Sequence, residues 1–115
     1  ITAEVLTELL NKLVLRSNVM EQRSFEDLDN FRKQVHTLDS ELFDILMKRM
    51  QISEEIGRFK KEHNITILQE EHWKKLLESR LHMAKSLNLS DDFVRSILDA
   101  IHLESITRQI SVMNP

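Results

Sequence analysis

The stretch FEDLDNFRKQVHTLDSELFDILMKRMQISEEIGRFKKEH, residues 25–63, decides the fold of this chain. Its apolar side chains recur at alternating intervals of three and four residues, and this heptad seam consists of Leu28, Phe31, Val35, Leu38, Leu42, Ile45, Ile52, Ile56 and Phe59. Such spacing is typical of a long helix that packs lengthwise against other helices. A helix of about 38 residues is ~57 Å long. Because the rest of the chain is too short to cover both ends, we expect a second subunit to cover part of the seam.

The segments that flank this stretch are predicted to be helical as well. Residues 2–16 carry apolar side chains at helical spacing after a candidate cap at Thr2, and a polar linker over residues 16–23 follows. The sequence SFED at residues 24–27 resembles a capping box, so the long helix is expected to begin there.

Two shorter helices are expected after a turn at residues 63–66. One covers about residues 68–87 and buries Trp73 as a core anchor, and the other runs from a cap at Ser90 to about Met113, after a connection at residues 88–89. The prediction is therefore an all-α, three-helix subunit with one very long first helix and a short N-terminal extension helix. We interpret residues 1–23 as a linker or the tail of a preceding domain, and residues 24–115 as the functional domain.

The composition supports this fold class and excludes several classes of function. The only glycine is Gly57 and the only proline is Pro115, so residues that break helices are almost absent. No segment approaches the roughly 20 apolar residues of a membrane span. A net charge of −3 without a basic block argues against nucleic acid as a partner. The absence of cysteine excludes disulfides and is compatible with the cytoplasmic location that we expect. Because the first residue is Ile1 rather than Met, we expect a longer parent protein.

Two cationic residues stand out on the long helix. Arg49 occupies a position of the heptad seam, and Lys60, eleven residues later, projects only ~20° away from it around the helix axis. A buried charge is costly unless something pairs with it. One interpretation is that Arg49 pairs with a carboxylate of another helix and that Lys60 extends its apolar stem near the helix end. The other interpretation is a bound anion.

The third helix directs polar side chains at the same interior. Ser105 and Gln109, four residues apart, continue the inward-facing stripe of Ile97, Leu98 and Ile101. A buried amide needs hydrogen-bond partners. The alternative is that the end of this helix is simply exposed. Two cations and an amide that face one interior favour a site for a small anion.

Arg32 leads to a geometric prediction. It precedes Arg49 by 17 residues, ~26 Å along the helix axis, and cannot reach the same pocket within its own chain. If two long helices pack antiparallel, Arg32 of one subunit can approach Arg49 and Lys60 of the other. The alternative is an ordinary solvated arginine beside the seam.

Other kinds of site are not indicated by the sequence. The five histidines lack the spacing of metal ligands, so no metal site is expected. A glycine-rich phosphate loop and a cysteine nucleophile are absent, and no cofactor is expected. Gly57 lies inside the long helix, where it would permit the close approach of another helix or of a ligand.

Four segments of the chain resemble the all-helical chorismate mutase family. They are FRKQVHTLD at residues 31–39, LMKRM at 46–50, IGRFK at 56–60 and ESITRQ at 104–109, and the similarity extends without gaps over about residues 25–113. The resemblance implies an intertwined antiparallel homodimer of three-helix subunits with shared active sites. It also implies the Claisen rearrangement of chorismate to prephenate in phenylalanine and tyrosine biosynthesis, a unimolecular reaction without a nucleophile or general base.

The resemblance further implies roles for individual residues. Arg49 and the partner subunit's Arg32 would bind the two carboxylates of chorismate. Lys60 and Gln109 would hydrogen-bond the ether oxygen, where negative charge grows as the C–O bond breaks. Ser105 would line the carboxylate side of the site.

The start of the second helix departs from the family pattern. Well-studied members carry acidic residues and an arginine there, which contact the ring hydroxyl of the substrate. Gln69, His72 and Trp73 occupy these positions here. Gln69 and His72 could still hydrogen-bond a hydroxyl, whereas Trp73 cannot supply a carboxylate.

Residues 1–16 resemble the terminal helix of a 3-deoxy-7-phosphoheptulonate synthase that is fused ahead of a chorismate mutase in some bacteria. A covalently fused synthase domain is therefore expected. Two other hypotheses of function remain open at this point. One is an isochorismate pyruvate lyase on the same scaffold, and the other is a non-catalytic helical module for the dimerisation or regulation of a synthase.

Overall fold

Three helices account for almost all of the chain. The computed structural model describes residues 2–114, apart from the side chain of Ser17, and in this range it contains α1 (Ala3–Glu62), α2 (Glu70–Ser86), α3 (Asp91–Met113) and no strand. The prediction of an all-α chain with one very long first helix is confirmed. The chain divides into two units, one that ends at Asp44 and one that begins at Ile45.

The break predicted between residues 16 and 24 is absent, because α1 continues through it. Ser24 does not cap a helix start. Its hydroxyl donates to the carbonyl of Met20, four residues earlier, at 3.0 Å, as serine does inside helices. The segment contains neither glycine nor proline, so nothing in it terminates a helix. The prediction of a separate N-terminal extension helix was therefore wrong.

The cap predicted at the beginning of the chain is present. The hydroxyl of Thr2 accepts a hydrogen bond from the backbone N–H of Val5 at 3.3 Å. The expectation for α3 was only half right. This helix begins after Ser90, as predicted, but the Ser90 hydroxyl makes no capping hydrogen bond. Asp91 and Asp92 in the first turn supply the negative charge that a helix N-terminus favours.

Two asparagines terminate helices in place of glycine. Asn64 and Asn88 adopt the left-handed conformation, with φ of 54° and 59°, which the short polar side chain of asparagine tolerates. After Asn64, the N–H of Ile65 donates to the carbonyl of Lys60 at 2.8 Å and satisfies an end group of α1. Both turns lie where the sequence predicted them, at residues 63–66 and 88–89.

In the unit that begins at Ile45, α3 packs closely on one face of α1. The covered residues of this face follow a spacing of four and three, and they are Leu46, Met50, Ser53, Gly57 and Lys60. A β carbon at Gly57 would lie 2.6 Å from Cγ2 of Val112 and 2.9 Å from Cα of Gln109. Of the two interpretations of Gly57, the structure therefore supports the close approach of a helix.

The heptad seam is a neighbouring stripe, and it is exposed in the single chain. Ile52 is 56% exposed and Phe59 is 54% exposed, whereas Met50 of the covered face is 7% exposed. The face that α3 covers is thus offset from the seam by one residue. Cover of the seam by a second subunit stays a prediction.

None of the helices within residues 2–114 combines the length and apolar character needed to cross a membrane.

Candidate active site

A cavity of about 620 Å³ lies among α1, α2 and α3 in the unit that begins at Ile45. Its walls include six of the residues that the sequence predicted for a site, namely Arg49, Lys60, Gln69, His72, Ser105 and Gln109. These side chains come from all three helices and from the residue before α2. The fold therefore brings together residues that are up to 60 positions apart in the sequence.

Lys60 projects from the last turn of α1 into the wall of this cavity. Its ammonium donates to the carbonyl oxygen of Ile67 at 2.8 Å and to Oε1 of Gln109 at 2.9 Å. Both acceptors are neutral, and burial lowers the pKa of the Lys60 ammonium below its ordinary value. An ammonium has three N–H donors. One donor of Lys60 therefore remains for a ligand.

Gln109 is held at both ends of its side-chain amide. It is 6% exposed, so the alternative of an exposed helix end was wrong. Its Oε1 accepts from Lys60, and its Nε2 donates to Oγ of Ser105 at 3.3 Å. These two contacts fix which end of the amide is oxygen and which is nitrogen. Because Nε2 has two hydrogens, one N–H of Gln109 is left over.

Ser53 supports this arrangement from α1, although it was not predicted as a site residue. Its Oγ lies 2.6 Å from Oγ of Ser105 and 3.2 Å from the carbonyl oxygen of Arg49. Ser53 is 4% exposed. The signal that could have revealed it is the second stripe on α1, in which two small residues, Ser53 and Gly57, mark the close approach of another helix.

Arg49 lines the cavity from α1 but is itself exposed. Within residues 2–114, its guanidinium takes part in no ion pair with a carboxylate. The interpretation of Arg49 as the partner of an intramolecular carboxylate is therefore not supported. Lys48, which was not predicted, lines the same cavity. Lys48 was missed because it is not a member of the heptad seam, so the spacing of the sequence did not mark it.

An aromatic pair forms another part of the wall. The rings of Trp73 and His102 stack with centroids 3.8 Å apart and an interplanar angle of 11°. Trp73 lines the cavity, so its interpretation as a plain core anchor was incomplete. His102 was missed, although it continues the stripe of Leu98, Ser105 and Gln109 on α3. Burial lowers the pKa of His102 and the Arg49 and Lys60 charges lower it further, while Asp99 raises it.

Arg32 lies in the other unit, on the part of α1 that precedes Asp44. Its Nη1 is 3.7 Å from Oδ1 of Asp29, and both side chains are largely exposed. An exposed ion pair of this kind contributes little to stability. In the single chain Arg32 is thus a solvated arginine beside the seam, as the alternative interpretation of the sequence expected. Its approach to the site of a second subunit stays a prediction.

The chemical character of the cavity is that of an anion site. Within the described residues, no group of three His, Asp or Glu side chains is arranged to hold a metal ion. The described walls of the cavity instead include the cationic side chains of Lys48, Arg49 and Lys60 and an oriented amide at Gln109. Cationic and amide donors on the wall of one concave site suit the binding of carboxylates and of developing negative charge.

Comparison with known proteins agrees with this geometry. Residues 31–110 match the family described as chorismate mutase type II. The chain belongs to this family. The match covers all four segments that carried the resemblance in the sequence, and it confirms the chorismate mutase family as the source of that resemblance.

Several longer proteins are similar to this chain over part of their length. A T-protein of Enterobacter agglomerans is 29% identical over 83 residues, which are 72% of this chain and 22% of that protein. A T-protein of Haemophilus influenzae is 26% identical over 84 residues, 73% of this chain and 22% of that protein. A bifunctional chorismate mutase/prephenate dehydratase of Buchnera aphidicola is 29% identical over 91 residues, 79% of this chain and 24% of that protein. The chain thus spans less than a quarter of the length of these relatives. No solved structure gave a significant match.

Proposed function

We propose that this domain is a chorismate mutase, an isomerase that rearranges chorismate to prephenate in phenylalanine and tyrosine biosynthesis. The observation that carries the proposal is the contact between Lys60 and Gln109 at the wall of the cavity. After their hydrogen bonds within the protein are made, each side chain retains one N–H donor. Because Nζ of Lys60 binds the oxygen of the same amide that carries Nε2, the two remaining donors can meet on a single acceptor atom of a ligand.

The chemistry of the rearrangement requires this kind of arrangement. One C–O ether bond breaks while one C–C bond forms within the same molecule, and negative charge accumulates on the ether oxygen. The free donors of Lys60 and Gln109 stabilise that charge, and Arg49 binds a carboxylate of the substrate. The cavity also holds the compact conformer in which the two reacting carbons are close. No nucleophile, general base or cofactor takes part.

The remaining wall residues complete the proposed binding site. Gln69 and His72 line the cavity at the start of α2, and we assign them to the ring hydroxyl of the substrate. Ser105 lines the carboxylate side. These assignments are supported by the shared cavity and by the resemblance to chorismate mutases.

The proposal extends to an intertwined antiparallel homodimer with shared active sites. In this assembly, the partner subunit's Arg32 binds the second carboxylate of chorismate. Two observations support it. The heptad seam of α1 is exposed in the single chain at Phe31, Leu38 and Ile52, and a long exposed stripe of apolar side chains is typical of an interface. Among the described residues, Arg49 is also the one guanidinium that lines this cavity, whereas the substrate has two carboxylates.

The proposed dimer predicts complementation between inactive variants. Arg32→Ala and Lys60→Ala chains should each have very low activity alone. When the two are mixed, unfolded and refolded together, hybrid dimers should regain activity, because one of their two sites contains neither substitution. Prephenate formation measures the recovery. If hybrid dimers are shown to form but do not regain activity, the proposed sharing of sites between subunits is contradicted.

The proposed activity has a direct test with alternative outcomes. The purified protein should convert chorismate to prephenate and should release no pyruvate from isochorismate. Pyruvate release would indicate an isochorismate pyruvate lyase on the same scaffold. In that case Gln69 and Trp73, which line the cavity and differ from the family pattern, are the residues where the choice of substrate could be made. Failure to act on either substrate would contradict the proposed activity and favour a regulatory or dimerisation module.

We further propose that residues 1–23 are the tail of a fused 3-deoxy-7-phosphoheptulonate synthase. The support is the resemblance of residues 1–16 to the terminal helix of such an enzyme. The much greater length of the relatives, one of which is named as bifunctional with a prephenate dehydratase, is compatible with a fusion. The parent protein should then form 3-deoxy-7-phosphoheptulonate as well as prephenate, and a parent protein without synthase activity would refute the fusion. We also propose that the parent protein is located in the cytoplasm.

A further inference from the structure

We propose that Ser53 is a positioning residue that orients the amide of Gln109 through the hydroxyl of Ser105. The inference rests on the proposed function, because it assigns a role at the same cavity. The carrying observation is a continuous line of hydrogen bonds across the contact between α1 and α3. It joins Lys60, Gln109, Ser105, Ser53 and the backbone carbonyl of Arg49.

The direction of each bond in this line follows from its donors. The carbonyl of Arg49 can only accept, so the Ser53 hydroxyl donates to it at 3.2 Å. With its single hydrogen used, Ser53 must accept in the 2.6 Å contact with Ser105, which therefore donates. The oxygen of Ser105 then remains an acceptor for Nε2 of Gln109 at 3.3 Å. Every hydroxyl in the line donates once and accepts once.

This order has a consequence for the reacting end of the site. If Ser105 had no acceptor at Ser53, its hydroxyl would be free to turn toward a carbonyl of its own helix, as serine commonly does. The amide of Gln109 would then lose a fixed acceptor for one N–H. Ser53 thus keeps Nε2 in place and leaves its second N–H directed at the cavity. Ser53 is 4% exposed and lines the same cavity, but its single hydrogen is donated to the carbonyl of Arg49. It therefore has no donor left for the ether oxygen and acts through Gln109.

The first test measures Gln109 directly and does not depend on activity. In the full chain labelled with ¹⁵N at glutamine, the Gln109 side-chain NH₂ signals are assigned by their loss in Gln109→Ala. Ser53→Ala should accelerate hydrogen exchange of the Nε2 proton that binds Ser105 by about 3- to 10-fold, the value of one net neutral hydrogen bond. Ser105→Ala should have the same effect. Ser96→Ala, an exposed serine of α3, is the control and should change nothing. Unchanged exchange in Ser53→Ala would overturn the proposal.

The second test separates positioning from a general structural role. Ser53→Ala should lower kcat for prephenate formation by about 3- to 10-fold in the wild-type background. In a Gln109→Ala background, it should leave the residual kcat unchanged, since nothing remains to be oriented. An equal loss in both backgrounds would overturn the role through Gln109. A wild-type chain without mutase activity would refute the proposed function, and the exchange measurement would still decide the role of Ser53.

Discussion

The two units of the chain use the same helical repeat in different ways. In the unit that begins at Ile45, one face of α1 is covered within the chain, and Met50 and Ser53 are 7% and 4% exposed. In the unit that ends at Asp44, every side chain described is exposed, including Phe31 at 62% and Leu38 at 60%. The apolar spacing is equally regular in both. The seam itself is exposed in both units, as Ile52 at 56% shows for the second, and α3 covers the neighbouring stripe. A heptad pattern therefore shows that a helix has an apolar seam, but it does not show whether its own chain covers that seam.

The two units therefore differ in what they contain: the second has a polar cavity and the first has an exposed apolar seam. The second unit has a cavity whose polar residues are held by hydrogen bonds within the chain, from Lys60 to Ser53. The first unit has an exposed apolar seam and contains Arg32, whose contact with a carboxylate is exposed. The four predictions that follow test this division, from the largest expected effect to the smallest.

The largest effect is expected at the cavity itself. Lys60→Ala should lower kcat for prephenate formation on the order of 10²–10³-fold, because a donor to the developing oxyanion is lost. Lys61→Ala is a matched control, since Lys61 is the neighbouring exposed lysine of α1 and does not line the cavity. Steady-state kinetics of the two variants check the prediction. Equal effects of both substitutions would contradict the role of Lys60.

The next effect is expected in the unit that ends at Asp44. Leu38→Asp places a charge in the exposed seam and should weaken the proposed homodimer by about 3 kcal/mol or more, roughly 100-fold in dissociation constant. Ser40→Asp adds the same charge away from the seam and should leave the dimer intact. Sedimentation analysis over a concentration series measures both. A dimer of unchanged affinity in Leu38→Asp would show that the seam is not the interface.

A smaller effect is expected where α3 approaches α1. Gly57→Ala adds a methyl group that would meet the backbone of Gln109 at 2.9 Å and 3.1 Å. Overpacking of this kind costs about 1–3 kcal/mol, and the better helix propensity of alanine returns up to about 1 kcal/mol. The net free energy of unfolding should fall by about 1–2 kcal/mol in urea titrations. Arg58→Ala is the control, because Arg58 is the exposed neighbour of Gly57, and it should change the free energy of unfolding little. A stabilised Gly57→Ala protein would contradict the close approach.

The smallest effect concerns the pH dependence of stability. The pKa of His102 in the folded chain is lowered, first by burial and then by the charges of Arg49 and Lys60, against the opposing effect of Asp99. The unfolded state therefore binds this proton more readily. The contribution of neutral His102 to the stability of the fold is full above the ordinary histidine pKa of about 6.5. This contribution decreases as the pH falls through that value toward the lower pKa of His102 in the folded chain.

Urea unfolding of the wild type and of His102→Leu at pH 5 to 8 tests this sign. The variant should lose less stability on acidification than the wild type does. His82→Leu, at an exposed position, should keep the wild-type pH dependence. A steeper acid loss in His102→Leu than in the wild type would contradict the sign.

The sequence alone predicted much of the fold. Scarce glycine and proline together with apolar periodicity were sufficient for three helices and for the turns at Asn64 and Asn88. The predicted linker over residues 16–23 was wrong because a polar composition does not by itself end a helix. Ser24 has an acceptor in the Met20 carbonyl, and no residue of the segment breaks the backbone pattern.

The site was predictable where a residue violated its pattern. Lys60 and Gln109 stood out as polar groups on apolar stripes, and the structure brings them to 2.9 Å. Ser53 and His102 were missed because small or aromatic residues on a helix do not violate an apolar pattern. Their position became informative only when the covered face of α1 was known. The one-residue offset between that face and the seam cannot be read from spacing, since both stripes satisfy the same repeat.

The central claim is that Lys60 and Gln109 direct their remaining donors at one atom of a dicarboxylate ligand. A crystal structure with a bicyclic dicarboxylate that mimics the transition state of the rearrangement measures this directly. The predicted result is an ether oxygen within hydrogen-bond distance of both Nζ of Lys60 and Nε2 of Gln109, with one carboxylate on Arg49. An analogue bound outside the cavity, or bound in it with these two nitrogens on different atoms, would contradict the account.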